Sequence, residues 1–102
     1  MSVEKTNEID AAGTEKNGKK LCLAIFDSTD WSDLTGHLML LQEKINAYLS
    51  FIESEQYKES FGDGIKEFEI SIKFVEKIPG ECKKFLNVVN KQLKKEKIKV
   101  VF

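Results

Sequence analysis

The longest periodic run of apolar positions lies between Asp33 and Ser54, DLTGHLMLLQEKINAYLSFIES. At about 100° per residue, Tyr48, Leu41, Leu34, Ile52, Ile45, Leu38 and Leu49 share one arc of roughly 100°, which predicts an amphipathic helix. A second stripe, Ala47, Leu40 and Phe51, runs beside it, with Lys44 between the two. Gln42, Glu43, Asn46, Ser50 and Glu53 occupy the opposite arc with Met39. An apolar arc this wide suits a helix pressed onto a sheet and touched on one flank by something else. Asp30 and Asp33 mark the start, because a capping residue and an acidic group are both favourable at a helix N-terminus. Gly36 costs about 1 kcal/mol of helix propensity against Ala; a close contact would explain it, and the sequence names no partner for one.

Period-two alternation predicts the strands. Ile9 to Thr14, a turn at Asn17-Gly18, and Lys20 to Phe26 read as a hairpin. The second of these strands is apolar on both faces, with Leu21, Leu23 and Ile25 against Cys22, Ala24 and Phe26. Lys66 to Val75 sets Phe68, Ile70, Ile72 and Phe74 against Glu67, Glu69, Ser71 and Lys73, one face for the core and one for water. Glu55 to Ile65 reads as a loop with Gly62 and Gly64 as turn formers, its Tyr57 and Phe61 packing back on the domain. Pro79-Gly80 opens a second helix from Glu81 to about Lys95, and Ile98 to Phe102 ends the chain as a strand. The expected fold is α+β in the order ββαβαβ: a four-stranded sheet with both helices on one face. Residues 1–8 are polar and read as a flexible N-terminus, and 9–102 as a single domain. Leu41, Ile45, Leu49, Ile70, Ile72, Phe85 and Val89 are the expected core. Bulk assigns Leu21, Leu23 and Ile25 to that core and leaves Cys22, Ala24 and Phe26 on the open face.

Composition narrows the function classes. The 102 residues are 41% hydrophobic and 32% charged, an ordinary soluble mix. No apolar run approaches the roughly 18 residues of a membrane span, and no signal peptide is evident, so a cytoplasmic location is expected. Cys22 and Cys82 lack the spacing of a disulfide framework or zinc site and read as small buried hydrophobes. The net charge of −1 hides segregation. Residues 1–65 hold 12 acidic and 6 basic groups, whereas 66–102 hold 5 acidic and 10 basic. Every basic residue is Lys, which cannot make the bidentate fork used on phosphates and guanines. With no aromatic interleaved for base stacking either, nucleic acid is disfavoured as a partner.

The segment His37 to Ser54, HLMLLQEKINAYLSFIES, preceded by Asp30-Trp31 and by NEIDAAG in the first strand, resembles a family of small bacterial proteins of unknown function. The resemblance spans about Glu8 to Phe102. Its members carry a more acidic run between the Trp and the His than SDLTG at 32–36. It supports the fold and implies no activity and no catalytic residues.

Three features carry candidate chemistry. Asp30, Asp33 and His37 stack at spacings of three and four, and together could ligate a metal or move a proton. The competing reading makes the two carboxylates caps and His37 the edge of the core. On the second helix Lys83, Lys84, Lys91, Lys94 and Lys95 fall within about 120°, and Lys84, Lys91 and Lys95 could meet an acidic partner. Phe26, on the open sheet face, is the expected anchor of a protein partner or a weak homodimer. No nucleotide-binding, nucleophile or metalloprotease motif is present, and nothing calls for a cofactor. The leading expectation is a small interaction protein; the alternative is a small enzyme or metal- or ligand-binding module built on Asp30, Asp33 and His37.

Overall fold

A computed structural model describes residues 9–102; the expected flexible stretch 1–8 lies outside the described residues. The elements are β1 (Ala11–Glu15), β2 (Lys20–Asp27), α1 (Leu34–Glu53), α2 (Lys58–Phe61), β3 (Glu67–Phe74), α3 (Gly80–Leu93), a 3₁₀ turn (Lys94–Glu96) and β4 (Ile98–Val101). The sheet order is β1-β2-β3-β4, with β1 antiparallel to β2 and the other neighbours parallel. The α+β class and the two long helices are as the pattern predicts.

The hairpin closes over residues 16–19, where Lys16, Asn17 and Gly18 all take positive φ. The Gly18 and Lys19 amides both donate to the Glu15 carbonyl at 3.1 Å. β1 begins two residues later than Ile9 because Asp10 leaves the ladder. Its amide donates to the Tyr48 hydroxyl, and its carboxylate accepts from the Phe26 amide.

Two parallel crossovers, β2-α1-β3 and β3-α3-β4, step the same way across the sheet. Right-handed crossovers then put both helices on one face. That face carries Leu21, Leu23, Ile25, Ile70, Ile72, Ile98 and Val100, all buried in one cluster with Leu41, Ile45, Tyr48 and Ile52 of α1 and Cys82, Leu86 and Leu93 of α3. Cys22, Ala24 and Phe26 point the other way, as their bulk suggested.

The structure departs from the sequence reading in several details. The buried arc of α1 contains His37 and Lys44 beside Leu41, Ile45, Tyr48 and Ile52. It is therefore turned roughly 40° from the purely apolar arc. Leu49, expected in the core, is half-buried, as are Phe85 and Val89. These three line the seam where α1 meets α3, with Gln42 and Gln92 beside them, and pack against the buried cluster from its flank. The expected loop 55–65 contains the single turn α2, and Tyr57 packs edge-on against Phe68 with centroids 5.1 Å apart. α3 ends at Leu93, two residues short of Lys95.

Candidate functional site

The end of α1 nearest the β2 C-terminus is where the sequence placed its catalytic-looking set. β2 alternates Leu21, Leu23 and Ile25 into the core, and the same alternation drives Asp27 inward at its last position. A buried carboxylate needs partners. Asp27 Oδ2 lies 2.6 Å from His37 Nε2, and its Oδ1 accepts the Thr29 amide at 3.0 Å. His37 is 2% exposed, and its Nδ1 sits 2.9 Å from the Asp30 carbonyl. A carbonyl only accepts, so Nδ1 carries a hydrogen. The short Nε2–Oδ2 contact then holds one further proton between imidazole and carboxylate. Trp31 stacks on the imidazole, with centroids 3.7 Å apart and planes 20° from parallel, and leans on Phe74. The Trp31 Nε1 is buried and finds no hydrogen-bond acceptor among the described residues.

Asp30 and Asp33 do not join His37 in one constellation. The Asp30 carboxylate accepts from the Ser32 amide at 3.1 Å and the Ser32 hydroxyl at 2.7 Å, and these bonds hold its pKa below the usual range. Asp33 is the N-cap of α1 and accepts the Gly36 amide at 3.1 Å. A Cβ at position 36 would collide with the Asp33 carboxylate, which accounts for the glycine. Among the described residues no group of three or more His, Cys, Asp and Glu side chains is placed to hold a metal. With both imidazole nitrogens engaged and Trp31 across the ring, the Asp27–His37 pair clamps the loop 28–33 to the helix it precedes.

A second buried polar group escaped sequence reasoning. Lys44 Nζ lies 2.9 Å from Asp10 Oδ1 with both side chains fully buried, and it sits 5.6 Å from the Tyr48 ring centroid. The Tyr48 hydroxyl donates to the Ala24 carbonyl and accepts the Asp10 amide. Burial pushes the Tyr48 pKa up to about 12. These groups continue the β1–β2 ladder with side chains where β1 stops. The available signals were the inward parity of Asp27 and the place of Lys44 between two apolar stripes.

The predicted surface residues occupy separate regions. Phe26 is 40% exposed on the uncovered sheet face, opposite Lys73 in register. Along the same face a shallow depression runs across β1, β2 and β3, lined by the small residues Ala11, Gly13, Cys22, Ala24 and Ser71. Lys84, Lys91 and Lys95 are exposed on α3 and the turn after it, away from that face. Other lysines, Lys66, Lys94, Lys97 and Lys99, gather where β3 and β4 begin. There Lys16 pairs with Glu67 at 2.6 Å and Lys20 with Glu69 at 2.8 Å. Among the described residues no helix is long and apolar enough to cross a membrane.

These features define a small two-layer α+β protein with an open sheet face and an internally bonded, sealed His–Asp pair. The chain belongs to the family of unknown function DUF6572, whose model matches residues 1–102. Comparison with curated proteins and with solved structures gives no match.

Proposed function

We propose that this chain is a protein-interaction module that binds a partner on the uncovered face of its sheet, with Phe26 as the anchor. The observation that carries the reading is a run of three parallel strands that, among the described residues, helices cover on one face alone. Parallel strands ordinarily have both faces buried, so a partner element completes the missing layer. The occupant that fits is an amphipathic helix of another protein, its apolar stripe on Phe26, Ala24 and Val101 and its flanks acidic. Charge argues for the acidic flanks. Glu67 and Glu69 on this face are already paired, whereas Lys73 and Lys99, on the same side of the sheet, make no ion pair among the described residues. An aromatic side chain at the centre of a modest patch is the usual hot spot.

The test places a photoreactive phenylalanine analogue at position 26, and a second at exposed Val88 on α3, in cells that make the protein natively. The reading expects an adduct from position 26 that maps by mass spectrometry to an acidic amphipathic helix of one other protein, and that Lys73→Glu removes. Adducts from position 88 alone, or a position-26 adduct with another copy of this chain, would overturn it.

A further inference from the structure

We infer that β1 is the edge at which two copies of this chain join, antiparallel across a twofold axis, to make one eight-stranded sheet. The inference is independent of the reading of the open face. It begins from the unequal treatment of the two sheet edges. At β4 the Asn90 side chain occupies the edge: its amide donates to the Val100 carbonyl at 2.9 Å, and its oxygen accepts the Val100 amide at 2.7 Å. Both backbone groups of that residue are thereby closed to an incoming strand. At β1 every residue is exposed, and AAGTE contains no Pro and no Lys. Of the devices that blunt an edge, β1 has shortness and the single charge of Glu15 at its end; among the described residues it has no proline, lysine or covering side chain along Ala11–Thr14.

The register identifies which groups are on offer. On β2 the Phe26 amide and Ala24 carbonyl turn toward the β1 side, where Asp10 and Tyr48 take them. The Lys19 and Asp27 carbonyls turn toward β3. Even-numbered residues of β2 therefore bond toward β1, and their partners there are Ala11, Gly13 and Glu15. The backbone groups of Ala12 and Thr14 point outward. Two such strands pair antiparallel about Gly13, with Ala12 of each opposite Thr14 of the other, and this closes four N–H···O bonds. Gly13 faces its own copy in a non-hydrogen-bonded pair, the closer of the two spacings, where the lack of a side chain removes any clash. Each Glu15 falls opposite an Ala11, so the acidic ends do not oppose one another.

Two further observations favour a second copy over a foreign strand. Lys44 and Tyr48 reach across to Asp10 and Ala24, so that side of α1 lies toward β1. Next round the helix come Leu40, Ala47 and Phe51, half-buried and apolar. Across the twofold this stripe meets its own copy above the joined strands. Because Asn90 takes both backbone groups of Val100 at the outer edge of β4, head-to-tail addition of β1 to β4 is disfavoured against the closed, isologous pairing. A contact of one short strand and one helix flank belongs to the weak class of interfaces.

Sedimentation velocity from about 1 to about 300 μM, a range suited to weak association, is the experiment. The wild type should pass from monomer to dimer. Ala12→Pro removes an outward amide at an edge position that tolerates proline, and should weaken dimerisation by about tenfold or more. Phe26→Glu should dimerise as the wild type does, which separates this edge from the open face. Amide exchange of the wild type provides a readout without mutation: Ala12 and Thr14 should become protected as concentration rises. A wild type that stays monomeric, an Ala12→Pro variant that folds and dimerises unchanged, a dimer lost in Phe26→Glu, or exchange at Ala12 and Thr14 independent of concentration would each overturn the inference.

Discussion

Removing the His37 imidazole tests whether the Asp27–His37 pair is as buried as its geometry states. In His37→Ala the Asp27 carboxylate keeps the bond from the Thr29 amide and loses the His37 imidazole at 2.6 Å, its ion-pair partner among the described residues. Both side chains are essentially sealed from water, at 1% and 0% exposure. Breaking a buried pair by deleting one member costs about 3–5 kcal/mol, since the remaining group stays desolvated. Trp31 also loses the ring it stacks on, so the cavity adds to the cost. Against a typical domain stability of about 5–15 kcal/mol, the variant should be close to the edge of folding. Asp27→Asn is the control. Its amide NH₂ can donate to Nε2 of a neutral His37 whose Nδ1 hydrogen still bonds the Asp30 carbonyl. Its oxygen can still accept from Thr29. With every bond replaced and no charge stranded, the cost should be that of an ordinary hydrogen-bond change, about 0.5–1.5 kcal/mol. Urea titrations followed by the emission of Trp31, the sole tryptophan, measure both variants in one buffer. A typical slope of about 1–3 kcal/mol per molar turns the difference between them into a midpoint gap on the order of 1–2 M. A loss below about 1 kcal/mol for His37→Ala would refute the reasoning, because the pair would then be open to water in solution.

Other outcomes follow from the same packing. Ile45→Ala, at a side chain 2% exposed, should cost about 2–5 kcal/mol in denaturant melts, and Leu49→Ala at the α1–α3 seam clearly less. Gly36→Ala should be near neutral in a thermal melt, as a propensity gain of about 1 kcal/mol is set against a lost Asp33 cap of similar size. In an Asp33→Ala background, where the cap is already gone, the same change should stabilise. Stability should also fall in alkali. Burial lifts Tyr48 from 10.0 to about 12 and Cys82 from 9.0 to about 11, so above pH 9 the unfolded chain loses protons that the folded one keeps. The contribution is complete below the unfolded values and declines as pH rises to 11–12. Tyr48→Phe should flatten the upper part of that decline, and Cys82→Ala the lower part.

Much of this architecture was legible because alternation and helical period report burial directly. The inward trio Leu21, Leu23 and Ile25 and the outward Phe26 followed from bulk alone. The long helix was bounded to within a residue, whereas the contact that explains Gly36, the Asp33 carboxylate, is visible only in the structure. The rotation of α1 was not legible, for a definite reason. A helical wheel puts Lys44 between two apolar stripes and His37 at the edge of the core, but their full burial depends on Asp10 and Asp27, 34 and 10 residues away. Partnership of that kind leaves no periodic trace. Strand order was hidden too, since the same alternating segments satisfy several orders, and only the direction of the two crossovers decides between them. The grouping of Asp30, Asp33 and His37 was correct in sequence distance and misleading in chemistry. Each carboxylate answers to the nearest backbone amide, and the acid that does meet His37 comes from the preceding strand.

The two buried polar groups bear on why the helix sits where it does. Leu41, Ile45 and Ile52 present similar aliphatic surface at successive turns, and the strands beneath offer rows of Leu and Ile. Such contacts are nearly indifferent to a slide of one turn, about 5.4 Å along the helix axis. Hydrogen bonds are not. His37 to Asp27, Lys44 to Asp10 and Tyr48 to the Ala24 carbonyl fasten α1 at its first, third and fourth turns. A one-turn slip would leave at least one charge buried without its partner, at a cost of several kcal/mol. The same bonds reach both the β1 start and the loop that follows β2. They therefore set the height of β1 on the sheet, and with it which backbone groups its outer edge presents.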